Sequence, residues 1–324
     1  MMVTGKNILV TGGAGFIGSH LVDALISERT KNLVVVDNLF LGKEENLSEA
    51  KRNFSNLHFI IEDAGNAEAM KSILGNYQVD TVFNLAVIPL PKSLEDPFWS
   101  IIENVRITTN ICELGRQGFF EKLIHFSSSE AYGSAIQIPM TEDHPLIPST
   151  PYAASKIASD YVALSYFKTF GLRTMIIRPF NNYGPRQNEG SYAGIIPIVI
   201  KKVQKGDPIE IYGDGQQTRD FIFVKETALA TLELSKKEEA IGKTINLASG
   251  METSINDLVN RMIKVLGVED YPVHHTQSRP GDVRRHCGGV GLAKELIQFK
   301  PQTPLEEGLK ETIDWYLKEK RAEK

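Results

Sequence analysis

The chain has 324 residues, enough for one large or two moderate domains around a deep core. Hydrophobic residues make up 42% and charged residues 23%, with 26 Gly and 15 Pro, which excludes a disordered chain, a collagen-like repeat and a small disulfide scaffold. The net charge of −4 offers no basic field for nucleic acid, and two cysteines, Cys112 and Cys287, fit a reducing compartment. The start, MMVTGKNILVTGG, has a short apolar run broken by Thr11 and Gly12, so no secretion signal is expected. No apolar stretch reaches the roughly 18 residues that a spanning helix needs. A cytoplasmic globular protein without membrane or nucleic-acid partners is expected.

In chain order, Asn7–Val10, Leu33–Val36, His58–Ile61, Thr81–Leu85, Leu123–Ser127 and Thr174–Arg178 are short β-branched runs between polar or glycine punctuation. Between them, Ser19–Ser27, Asn66–Leu74, Ile101–Arg116 and Tyr152–Phe170 are amphipathic at helical spacing. This alternation predicts an α/β protein with a Rossmann-type, doubly wound parallel sheet buried on both faces. After Pro179, glycine and proline crowd residues 181–220, which predicts a loop-rich, ligand-contacting region. Helical patterns return at Lys225–Ser235, Ile255–Leu266 and Leu305–Leu317.

The first strand runs into Thr11-Gly12-Gly13-Ala14-Gly15-Phe16-Ile17-Gly18, with glycines at 12, 15 and 18. Such a turn lets the backbone approach a pyrophosphate closely and aims the free N–H groups of a helix start at it. The second strand ends at Asp37, nineteen residues past Gly18. A carboxylate there accepts from an adenine-ribose 2′-hydroxyl and repels a 2′-phosphate, which predicts NAD over NADP. Asp63, after the third strand, is placed to reach the adenine amine or to cap a helix. Other phosphate and metal signals fail: Gly242-Lys243-Thr244 lacks the first glycine of a Walker loop, and His274-His275 lacks the flanking ligands of a zinc site. No metal is expected.

The fifth strand ends in Ser127-Ser128-Ser129-Glu130, and Tyr152 and Lys156 follow, four apart and so on one helix face. An ammonium beside a phenol favours the phenolate, a base for a sugar hydroxyl whose carbon gives up hydride. The serine hydroxyl can share that proton.

GGAGFIGSH, Asp37-Asn38, SSSEAYG, YAASK and RPFNNYGPRQ together resemble the extended short-chain dehydrogenase/reductase family, and within it the NAD-dependent nucleotide-sugar epimerases and dehydratases. The resemblance continues through Arg219-Asp220-Phe221 to Arg279-Pro280-Gly281-Asp282. It implies a recycled NAD that oxidises carbon 4 of an NDP-hexose, with Ser128, Tyr152 and Lys156 as the catalytic set. It further implies that Gly12, Gly15, Phe16, Ile17, Gly18, Asp37, Asn38, Asp63, Ala86, Asn104, Ser127 and Pro179 line the dinucleotide. Ser128, Ser129, Phe180, Asn181, Arg186, Tyr212, Arg219, Arg279 and Asp282 fall on the substrate side, where guanidinium suits diphosphate. It assigns residues 1–178 with about 219–250 to a dinucleotide-binding domain, and 179–218 with about 251–324 to a nucleotide-sugar-binding domain. The helices Ile101–Arg116 and Tyr152–Phe170 match a four-helix homodimer seam.

Glu130 decides how the reactions are ordered. Simple 4-epimerases of the family carry a small or hydroxyl residue there, whereas the 4,6-dehydratases and uronate decarboxylases carry glutamate. The resemblance therefore ranks a 4,6-dehydratase first, with Glu130 as catalytic base. A UDP-glucose-type 4-epimerase comes second, and a UDP-glucuronate decarboxylase last. In the epimerase reading Glu130 is structural, capping a loop or pairing with Arg186.

Overall fold

The computed structural model describes residues 3–190, 192–278 and 281–322. The first half alternates strand and helix: β1 (Asn7–Thr11), α1 (Phe16–Ile26), β2 (Asn32–Asp37), α2 (Ser48–Asn53), β3 (Leu57–Ile61) and α3 (Ala67–Asn76). There follow β4 (Thr81–Asn84), α4 (Leu90–Glu95), α5 (Pro97–Arg116), β5 (Lys122–Phe126), α6 (Pro151–Phe170) and β6 (Arg173–Pro179). The second half holds β7 (Asn181–Tyr183), α7 (Ile195–Lys205), β8 (Ile209–Tyr212), β9 (Thr218–Arg219), β10 (Phe221–Phe223) and α8 (Val224–Ser235). It ends with β11 (Thr244–Leu247), β12 (Thr253–Ser254), α9 (Ile255–Leu266), β13 (Val273–Thr276), α10 (Gly291–Ile297) and α11 (Leu305–Ala322).

Seven strands form one parallel sheet in the order β11-β6-β5-β4-β1-β2-β3. All six expected strands are present. The seventh, β11, is the stretch that opens at Thr244, so the incomplete Walker-like glycine and lysine are the lead-in to an edge strand. The chain is apolar along each central strand because both sheet faces are covered. Ile8, Val10, Leu33 and Val35 pack with Leu21 and Leu25 of α1 and with Leu232 of α8. The intervening Leu9, Val34 and Val36 face the other way, onto Met70 and Leu74 of α3 and Ile111 of α5. The order reverses between β1 and β4, which opens a crevice at the carboxyl ends of those strands.

A third core gathers Tyr183, Ile196, Ile200, Ile209, Phe221, Phe223, Leu258, Met262, Leu309 and Ile313. The expectation of a loop-rich, ligand-contacting 181–220 holds for the irregular stretch with Arg186, Gln187 and Asn188, which lines the crevice, but not for the remainder. That remainder folds into β7, α7, β8 and β9, and two of its glycines are helix ends: Gly194 is the N-cap of α7, and Gly206 at φ +75° is its C-cap. Glycine at C′ is where a left-handed residue terminates a helix most cheaply, so its density marked punctuation and not the absence of helix. Among the described residues, no helix is long and apolar enough to cross a membrane.

Candidate active site

A cavity of about 500 Å³ occupies the crevice at the carboxyl ends of the strands. Its floor is the β1–α1 turn. Gly12 lies at φ +66°, and a Cβ there would sit 2.9 Å from the Ala86 nitrogen. A Cβ on Gly18 would sit 2.2 Å from the Gly12 carbonyl oxygen, so only glycine lets the helix seat this tightly on the turn. The N-terminus of α1 has no side-chain cap and no acidic residue in its first turn. Its N–H groups and positive dipole end are thus left for an anion at the cavity floor. Gly12, Gly15, Phe16, Ile17, Gly18, Asp37, Asn38, Asp63, Ala86, Ser127 and Pro179 all line the cavity. Asp37 is buried at the end of β2, where its carboxylate accepts from the Ala14 N–H at 3.0 Å and the Leu39 N–H at 2.8 Å. Burial raises its pKa and these backbone donors oppose the rise. Asp63 accepts from the Gly65 N–H at 2.7 Å while still facing the cavity. These groups fit a dinucleotide: an uncapped helix start for the pyrophosphate and a fixed carboxylate for the ribose.

Asn104 does not line the cavity. It is buried behind it, where its amide exchanges hydrogen bonds with the Ile88 backbone (2.7 and 3.2 Å) and donates to Ser155 Oγ at 2.9 Å. It holds the 86–90 wall against α6 and makes no contact across the cavity.

Ser128, Glu130, Tyr152 and Lys156 face the same cavity from the end of β5 and the start of α6. The helix start is firmly built: Thr150 caps it and Pro151 occupies the first turn, which places Tyr152 one residue in. The Tyr152 environment departs from the expected phenolate. Burial pushes its hydroxyl up to about 12, Ser128 opposes the rise by hydrogen bonding to it, and the Glu130 and Asp160 charges add to it. The Lys156 ammonium donates to the Phe126 carbonyl, and burial brings its pKa down to about 8, opposed by Asp160. Among these side chains, burial thus favours the protonated form of Tyr152.

Glu130 is half-buried, and no hydrogen bond holds its carboxylate among the described residues. Burial raises its pKa, and Arg219 opposes that rise. Arg186 lines the cavity, but it pairs with Asp23 of α1 at 2.6 Å and not with Glu130. Phe180 and Asn181 line the cavity as expected, Asn181 with a buried side-chain oxygen that lacks a partner. Ser129 is buried off the cavity, where its carbonyl lies 3.1 Å from His286 Nε2. Tyr212 and the Arg219–Asp282 ion pair (2.5 Å) also lie outside the cavity lining, although that pair is close enough for both charges to act on Glu130. Arg279 lies outside the described residues.

Some site residues escaped the sequence reading. Asn182 and Gln187 line the cavity with buried, unpartnered amide oxygens. Phe40 and Trp99 meet at its mouth with ring centroids 6.1 Å apart. The asparagine repeat in RPFNNYGPRQ was the available signal for Asn182. Nothing in the order of residues brings Phe40 and Trp99 together.

The fold and this site define a dinucleotide-dependent enzyme of the extended short-chain dehydrogenase/reductase superfamily. The chain belongs to the GDP-mannose 4,6 dehydratase family, whose model matches residues 9–312. It is similar to the UDP-glucose 4-epimerase of Mycolicibacterium smegmatis, 34% identical over 95% of this chain and 97% of that one. It is also similar to the dTDP-glucose 4,6-dehydratase of Salmonella typhimurium, 30% identical over 96% and 92%. The crystal structure of the dTDP-glucose 4,6-dehydratase DesIV from Streptomyces venezuelae, with NAD and TYD bound, superposes with a TM-score of 0.91 at 28% identity, covering 98% of both chains. The relatives thus act on nucleotide sugars by two different reactions.

Proposed function

We propose that this protein is an NAD-dependent nucleotide-sugar 4,6-dehydratase acting on a UDP- or dTDP-linked hexose through transient oxidation at carbon 4. The observation that carries the reading is Glu130, a carboxylate without a hydrogen-bond partner among the described residues, on the wall that also presents Ser128 and Tyr152. Gly12, Gly15, Gly18 and Asp37 hold the NAD. When bound, NAD would supply the acceptor and later the donor of the hydride. Tyr152 takes the proton of the 4-hydroxyl, Ser128 shares it, and Lys156, one turn along the same helix face, supplies a buried cation to the site. The resulting ketone acidifies the proton on carbon 5, which Glu130 removes. The proton Glu130 has taken then goes to the hydroxyl leaving carbon 6, which departs as water.

A 4-epimerase is the second reading, favoured by Ser129 being turned off the cavity, so that no second side chain joins Glu130 as an acid. Epimerisation requires only Ser128, Tyr152 and Lys156. The third core, with Arg219 and Asp282 at its edge, serves as the sugar-binding lobe. Two copies pair through α5 and α6, which leave Phe98, Ile102 and Tyr161 exposed; light scattering at twice the chain mass checks this. Incubation with a panel of NDP-sugars, read by product mass, tests the main proposal. Loss of one water supports the dehydratase. An isomeric product establishes the epimerase, and loss of carbon dioxide the decarboxylase.

A further inference from the structure

Beneath the cavity lies a buried polar cluster in which Asp160, Arg178 and His125, used in no step above, adjoin the helix that carries Tyr152 and Lys156. Tyr152, Lys156 and Asp160 follow one another at intervals of four on α6 and share its inner face. Asp160 Oδ2 accepts from Ser127 Oγ at 2.6 Å and from the Arg178 guanidinium at 2.6 Å. Oδ1 faces His125 Nε2 at 3.5 Å and has no hydrogen-bond partner. The Asn84 amide nitrogen lies 3.3 Å from His125 Nδ1, and Asn84 Oδ1 accepts from Thr11 Oγ1, which in turn accepts from the Leu85 and Ala86 N–H groups of the cavity wall. With Asn84 donating to Nδ1, the His125 proton sits on Nε2, toward Asp160. Burial keeps His125 neutral. The carboxyl ends of β1, β4, β5 and β6 thus each contribute a polar side chain to one belt under the site.

The charges around Lys156 are few. From α6 there are Tyr152 and Asp160; from β5, neutral His125; from β6, Arg178, which stacks over the Tyr132 ring at 4.6 Å. Glu130 faces Tyr152 from the segment after β5. Glu103 of α5 lines the cavity but is bound to Arg106. Behind the belt, Asp160 and Arg178 line a second cleft of about 440 Å³ with Glu142 and Asp143. Among the described residues, Asp160 is bonded directly to Arg178 and is the buried carboxylate that shares the inner face of α6 with Lys156, one turn away. A buried ammonium without a counter-charge sheds its proton, and one lacking its proton cannot support the phenol.

We infer that Asp160 is a positioning residue for the oxidation step, supplying the counter-charge that keeps Lys156 an ammonium and fixing, through Ser127, the wall against which the dinucleotide lies. The inference rests on the proposed role of Tyr152 and Lys156. Asp160→Asn keeps shape and removes the charge. The pH profile of substrate-dependent nicotinamide reduction should then lose its basic limb about one pH unit earlier, with about tenfold less activity just above that limb. Asp160→Glu should restore the wild-type limb. Labelling of Lys156 by acetic anhydride, followed by mass spectrometry across pH, reads the same titration without turnover and should shift equally. Should Asp160→Asn fail to fold because Arg178 is left unpaired, the Asp160→Asn/Arg178→Gln double variant removes that unpaired guanidinium; having lost a cation as well as the anion, it is expected to shift the limb in the same direction but by less. An unmoved limb and unmoved labelling, with only a lower melting temperature, would overturn the inference. If the wild type reduces no nicotinamide with any NDP-sugar, the proposed function fails, and the labelling titration still decides the role of Asp160.

Discussion

Glu130→Gln separates the two leading reactions. The substitution preserves volume and removes a base that no hydrogen bond secures among the described residues. Removing a general base typically costs ~10²–10⁴-fold in rate, or about 3–5 kcal/mol of barrier. Oxidation at carbon 4 depends on Ser128, Tyr152 and Lys156, so the variant should form reduced nicotinamide and then stall. The Glu130 charge helps to hold the Tyr152 proton on, so removing it should move the acid limb of that first half-reaction to lower pH. Stability should move the other way from activity. Burial raises the Glu130 pKa above its ordinary value, so the folded state binds that proton to higher pH than the unfolded chain. Stability is therefore lost as pH rises through the ordinary value to the folded one, and glutamine removes that loss. At neutral pH the variant should melt no lower than wild type. The assay is nicotinamide absorbance, exchange of the carbon 5 hydrogen in deuterated water, and a thermal melt. A variant that melts lower refutes the burial argument for Glu130, and one that turns over normally refutes the base assignment. So does a wild type that returns a 4-epimer without exchange at carbon 5.

Three further outcomes are expected. Tyr152→Phe, nearly isosteric, should abolish nicotinamide reduction while leaving the melt unchanged; and since Tyr152 stands at about 12, the wild-type half-reaction should quicken as pH rises until Lys156 titrates near about 8. Gly18→Ala places a methyl 2.2 Å from the Gly12 carbonyl oxygen, a backbone atom, and should weaken NAD binding about tenfold or more by calorimetry. Asp37→Ala should weaken NAD and narrow its advantage over NADP; because the carboxylate also ties down the Ala14 and Leu39 N–H groups, the melt should fall as well, and a wild type that binds NADP more tightly would reject the ribose assignment.

The sheet and its dinucleotide floor were legible in the chain because they rest on local rules. Strands buried on both faces must be continuously apolar, and a helix residue whose Cβ would lie 2.2 Å from the Gly12 carbonyl oxygen must be glycine. The Tyr152–Lys156 spacing belongs to the same class, since a helix places such pairs on one face wherever it occurs. Properties that depend on what surrounds a group were not legible. Four apart on a helix, Lys156 was expected to lower the Tyr152 pKa, yet its ammonium turns to the Phe126 carbonyl and burial dominates both titrations. Arg186 lines the cavity, but its partner there is Asp23, 163 residues away in the chain, and not Glu130. The glycines of 181–220 carried the same letters whether they ended helices or opened loops, and only packing in the third core separated the two. Sequence alone determined the family, the parallel sheet and the order in which the motif residues are strung. The tertiary structure decided which charges are desolvated together, because burial and Coulomb forces act through space, between residues the chain keeps far apart.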